Sequence, residues 1–96
     1  MKSEAIWKNA VITSAEIFAD NTYVGFKLIL QYGDGQQQVG PHELTLTILQ
    51  KLLAAADIRE WSKIVGRPIR ALADPHKDVF AIKPFLAETP VVELTT

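Results

Sequence analysis

There is no cysteine in this sequence. Disulfides, thiolate nucleophiles and thiolate metal sites are excluded together, and the core alone must hold the fold. No stretch approaches the ~18 consecutive apolar residues that a membrane-crossing helix needs. The opening segment, MKSEAIWKNAVITSAEI, lacks the continuous apolar centre of a secretory signal, because charged or polar residues interrupt each apolar run. An excess of charge of one sign is also missing: 10 Lys and Arg stand against 11 Asp and Glu, a formal net charge of −1. Such a balance gives no overall attraction to nucleic acid or to an anionic membrane. There is no internal repeat, and Gln36-Gln37-Gln38 is the one small compositional bias. The expectation is an intracellular, cytoplasmic protein without a membrane segment.

What is present suits a folded domain. The 96 residues fit one core, and an apolar fraction of 48% is enough to fill it. From Ala10 to Phe18 the chain is β-branched and apolar. One side carries Val11, Thr13, Ala15 and Ile17, the other Ile12, Ser14, Glu16 and Phe18, so alternation leaves the inner face open. Ala19-Asp20-Asn21-Thr22 is a polar turn. Tyr23 to Tyr32 alternates cleanly, with Val24, Phe26, Leu28, Leu30 and Tyr32 facing one way. Gly33-Asp34-Gly35 supplies a tight connection, and Gln36 to Val39 pairs back.

At Gly40-Pro41-His42-Glu43 the hydrophobic period changes. Gly40 reads as an N-cap and Pro41 as the first helical residue, followed by an amphipathic helix with Leu46, Leu49, Leu53 and Ala56 on one stripe that Ile48 and Leu52 widen. Asp57-Ile58-Arg59-Glu60 has the form of a second cap, predicting a short helix to Ile64 or Val65 that ends at Gly66. Strands are predicted over Ile69–Ala73 and Val79–Lys83, joined by the loop Asp74–Asp78. Pro84 and Pro90 make 84–96 an irregular tail in which Val91-Val92 forms a short edge strand or dangles. The predicted fold is therefore a single α+β domain over 1–96. Its antiparallel β-sheet, in the order β-β-β-α-α-β-β, packs against one main amphipathic helix and a short second helix.

Catalytic constellations are sparse. His42 and His76 fall in a predicted helix start and a predicted turn; a metal site would have to join both to carboxylates such as Glu43 and Asp78, and no ligand spacing links them. Exposed loop histidines are the simpler reading, and no metal or cofactor is expected. Ser14 and Ser62 lie in no nucleophile pattern. Glu16, Asp20 and Asp34 read as solvated strand and turn residues rather than as an acid/base pair. Gly33-Asp34-Gly35 lacks the downstream glycine and lysine of a phosphate loop. The chain is expected not to be an enzyme.

Two kinds of surface remain. Arg59, Lys63, Arg67, Arg70, Lys77 and Lys83 make 59–83 locally basic around Trp61, the pattern of a nucleic-acid contact unless carboxylates pair the charges off. Within WSKIVGRPIR, Trp61 and Ile64 are spaced to close one end of the core, Gly66 ends a helix, and Pro68 forces the switch to a strand. Most of that segment is therefore a joint. Its cationic edge, Lys63, Arg67 and Arg70, is left over and with Lys77 forms the candidate binding surface. Tyr23, Phe80, Phe85 and Val91-Val92 offer apolar surface for a protein partner, and exposed sheet edges offer a homodimer contact.

The segment Ile58–Ala71 carries a further pattern. A helix ends in Leu52-Leu53, and Ile58, Trp61, Ile64, Gly66, Ile69 and Arg70 follow at set spacings. This arrangement resembles a family of small uncharacterised bacteriophage and prophage proteins, loosely over residues 9–83, with Val39 and Pro41 replacing an aromatic and a second glycine. The resemblance implies a phage or prophage accessory protein in a bacterial cytoplasm. Its mode of action would be contact with host machinery, including defence systems. The alternative function is a nucleic-acid-binding accessory protein using 59–83.

Overall fold

Residues 6–33, 35–73 and 79–94 are described by a computed structural model. Strands β1 (Ile6–Ala19), β2 (Val24–Gln31) and β3 (Gln36–Glu43) form the expected meander. Helix α1 (Leu46–Ala55) and a single 3-10 turn at Trp61–Lys63 lead to β4 (Pro68–Ala73), β5 (Val79–Pro84) and β6 (Val92–Glu93). Every neighbouring pair is antiparallel and the sheet order is β3-β2-β1-β4-β5-β6. The sheet curls into a half-barrel. Its inner face carries Ala10, Ile12, Phe26, Leu28, Leu30, Val39, Ile69, Ala71 and Ile82, and α1 adds Leu52 and Ala55 to the same core. No helix of the described residues is long and apolar enough to cross a membrane.

The ambiguity of β1 has a physical origin. Ile12 pairs with Leu30, but Ser14 pairs with Ile29 and Ala15 with Leu28, so Thr13 is the extra residue of a β-bulge. Directly opposed residues share a face. The inner set is therefore Ala10 and Ile12 before the bulge, then Ala15 and Ile17 after it. No single alternation can describe a strand that changes parity midway.

Three expectations are corrected. The helix does not start at Gly40-Pro41: these residues, with His42 and Glu43, belong to β3. There the pairing runs from Leu28↔Val39 to Phe26↔His42, so Gly40 and Pro41 together oppose Lys27 as a bulge. The true N-cap is Thr45, whose hydroxyl accepts from Ile48 N at 3.1 Å.

The second α-helix is absent from the described chain. Asp57 takes φ 59 and ends α1, with Ile58 N donating to Leu53 O at 3.0 Å and Asp57 N to Ala54 O at 3.1 Å. That is a Schellman C-terminus. Asp57 thus finishes the first helix rather than capping a second, and only the 3-10 turn follows.

The order accordingly reads β-β-β-α-β-β-β after a sixth strand is added. Of the two alternatives for the tail, the short edge strand is the one formed: residues 85–91 have no regular structure, and β6 follows at the edge of the sheet. Val92 pairs with Ile82, and Val92 and Leu94 are buried in the core.

The joint at WSKIVGRPIR forms in part: the chain switches to a strand there, but Gly66 lies in a turn rather than at a helix end, and β4 opens at Pro68 rather than at Ile69. Ile64 is buried, Trp61 packs against the core, Gly66 has φ +95, and Pro68 opens β4. Gly66 N donates to Ile12 O and Ile12 N to Arg67 O, which fastens the joint to β1.

Candidate functional site

On the outer face of the sheet, Arg70 stands directly opposite Asn9 on one side and Lys83 on the other. Two like charges facing each other across a strand pair repel, and the sheet needs a carboxylate between them. Glu88 supplies it from the loop after β5. Its Oε1 lies 2.8 Å from Lys83 Nζ and its Oε2 3.3 Å from Arg70 Nη2. Arg70 also donates from Nε to Pro84 O at 2.9 Å and from Nη2 to Ala87 O. Lys83 is buried, with its ammonium 4.1 Å from the centroid of the Trp7 ring. The Lys83 hydrogen bond and charge, followed by those of Arg70, hold the Glu88 carboxyl below the ordinary glutamate value despite a small opposing desolvation.

These contacts pin residues 84–88 against the sheet, and the pinned loop displays Phe85 and Leu86. Phe85 is 38% exposed and Leu86 91% exposed. Between this loop and the C-terminal end of α1 runs a groove of about 340 Å³, walled by Ala54, Ala55 and Pro68 on one side and Phe85, Leu86 and Ala87 on the other. Arg67 and Asp57 lie on its rim, 3.9 Å apart, and Arg67 Nε donates to Ala56 O at 2.9 Å. The arrangement presents an apolar projection beside an apolar slot, a form suited to a side chain of another protein.

A second concavity, about 620 Å³, lies where β3, the first turn of α1 and β6 converge. His42 packs on Phe26 there, ring centroids 5.8 Å apart, and burial lowers its pKa so that the neutral imidazole is favoured. Tyr23, Ile48 and Leu94 give apolar wall, while Glu43 and Glu93 bring carboxylates. Among the described residues no group of three His, Asp or Glu side chains is placed to hold a metal ion.

Three of the four residues of the candidate basic surface have structural partners. Lys63 pairs with Glu60 at 3.3 Å, Arg67 holds the end of α1, and Arg70 holds the 84–88 loop. The condition for a nucleic-acid surface, cations left without carboxylates, is not met by these three. Lys77 lies outside the described residues, as do His76, Asp78 and Asp34. Ser14 is half-buried in β1 and Ser62 exposed on the 3-10 turn. Glu16 pairs with Lys27 at 3.5 Å, and Asp20 accepts from Asn21 N in the turn it begins. Of the apolar candidates, Phe85 is exposed, Tyr23 half-buried and Val92 in the core. Sequence reasoning missed Trp7, Leu86 and Glu88. No sequence signal gave the pair: regular pairing about the 74–78 loop sets Arg70 against Ile82, and only the register shift between Leu72 and Ala73 brings Lys83 opposite Arg70.

No family model matches the chain, and no curated protein or solved structure is significantly similar to it.

Proposed function

We propose that this protein is a non-enzymatic accessory protein that acts by contact with another protein through the Phe85–Leu86 loop and the groove beside it. The observation that carries this is Leu86, 91% exposed on a loop whose backbone is held by Arg70. Isolated exposed leucines are common and mean little. Here the loop is already ordered, so a partner need not supply the entropy of fixing it, and a neighbouring apolar slot extends the contact. The resemblance to phage and prophage accessory proteins points the same way, toward a host protein as the partner.

The test is paired capture from a bacterial lysate with the wild type and with a Phe85→Ser/Leu86→Asp variant of equal melting temperature. A stoichiometric partner should be held by the wild type and weakened by about 2 kcal/mol or more, roughly thirtyfold, in the variant. A partner held equally by both sinks the proposal. So does turnover of a small molecule by a chain that captures no protein.

A further inference from the structure

β1 is longer than the strand beside it. β4 covers only Ile6–Val11, and Ile12 completes that side by bonding Gly66 and Arg67. From Ser14 to Ala19 the described chain pairs β1 with β2 alone. The direction of the backbone groups follows from two bonds. Asp20 N donates to Tyr23 O at 2.8 Å, closing the hairpin, and Leu44 N donates to Val24 O at 2.7 Å, so Val24 turns its carbonyl toward β3. Its partner Ala19 therefore turns away from β2, and by antiparallel alternation Ile17 and Ala15 do so too. Three N–H and three C=O groups face outward along this edge.

The other two edges of the sheet are guarded. β3 carries Pro41, which has no N–H, beside the Gly40 kink, and β6 is only two residues long, just after Pro90. The free half of β1 has neither proline nor lysine, and its single charge, Glu16, is already held by Lys27. Ile17 on this stretch is 43% exposed, and Val24, diagonal to it on the same face, 46%.

From this edge we infer that the protein forms a two-fold dimer by antiparallel pairing of β1 with β1 of a second copy, centred on Ile17. In that register Ile17 meets Ile17 of the other copy and Ala15 meets Ala19 twice, so all six outward groups on each chain can pair, and Glu16 lies opposite Phe18. Centring on Glu16 instead would oppose two carboxylates at the close, non-hydrogen-bonded spacing and leave outward groups unpaired. The edge is thus complementary to itself in one register. A net charge of −1 per chain puts little repulsion in its way.

Sedimentation of the full chain from micromolar to near-millimolar concentration, with amide hydrogen exchange, decides it. The expected result is a species of twice 10.7 kDa. The Ala15, Ile17 and Ala19 amides should gain protection as it forms, while those of Ser14, Glu16 and Phe18 stay protected throughout. Ile17→Lys should lose the dimer and, at concentrations where the wild type is a single chain, keep the wild-type melting curve. A single-chain mass at every concentration, with those three amides exchanging freely, overturns the inference without any variant. So does a dimer that Ile17→Lys leaves intact.

Discussion

Gly40 and Gly66 have nearly the same backbone angle, φ +96 and +95, yet their surroundings differ. A Cβ on Gly66 would meet nothing within 4 Å, whereas one on Gly40 would come to 2.6 Å of Phe26 O on the neighbouring strand. Gly66→Ala should therefore cost only the left-handed backbone, about 1–2 kcal/mol. Gly40→Ala should add displacement of the β2 backbone and cost roughly 3 kcal/mol or more. Denaturant unfolding of the two variants checks the order, and equal losses would mean that the β3 bulge relaxes. Residue chemistry was legible here in part: both glycines were marked as special positions. The motif each serves was not, because Gly-Pro suits a helix start and a strand bulge equally well. Asp57 shows the same limit, since an acid before Ile58-Arg59-Glu60 has the sequence of an N-cap while its φ of 59 makes it the end of α1.

Among the elements, the β4–β5 hairpin and the loop after it are tied together by Glu88, which bridges the facing Arg70 and Lys83. The folded Glu88 carboxyl titrates below its ordinary 4.5. A depressed carboxyl stabilises fully above the unfolded value and loses that contribution as pH falls through the folded one. The 85–91 loop should thus stay closed at neutral pH and loosen as the pH drops below 4.5, read by exchange or by NMR shifts of Leu86. Glu88→Gln should show the loosened loop at neutral pH and remove the acid transition. An unchanged loop in Glu88→Gln would assign the pinning to the Arg70 bonds to Pro84 and Ala87 alone. This unit explains why the basic residues looked surplus: their partners are carbonyls and a carboxylate brought in by chain reversal, which no count of charges reveals.

For the molecule as a whole, closure depends on the last described residues. α1 packs chiefly on β5 and β6, and Val92 and Leu94 complete the core at that edge. Burying a side chain of this size is worth about 1.5–3 kcal/mol, so ending the chain at Pro90 should cost roughly 3–6 kcal/mol. Domains of this kind have about 5–15 kcal/mol in total. The shortened chain should lose most of its cooperative unfolding transition, as followed by circular dichroism. A melt unchanged from wild type would show that α1 seals the half-barrel without β6.

The sequence by itself determined the α+β class, the opening meander, the existence of α1, though with Leu46 on its exposed side rather than in the stripe, and the place where Trp61 and Ile64 pack before a strand begins. Each is a local pattern of apolar spacing and backbone punctuation, written within ten or so neighbouring residues. Only the tertiary structure decided the bulge at Thr13, the assignment of Gly40–Glu43 to β3, the recruitment of Val92 and Leu94, and the use of Arg70 and Lys83 as supports for the loop that displays Leu86. Those depend on which distant strand lies alongside. Register across a sheet sets which face a residue takes and which charge it meets, and a single chain read in order does not contain it.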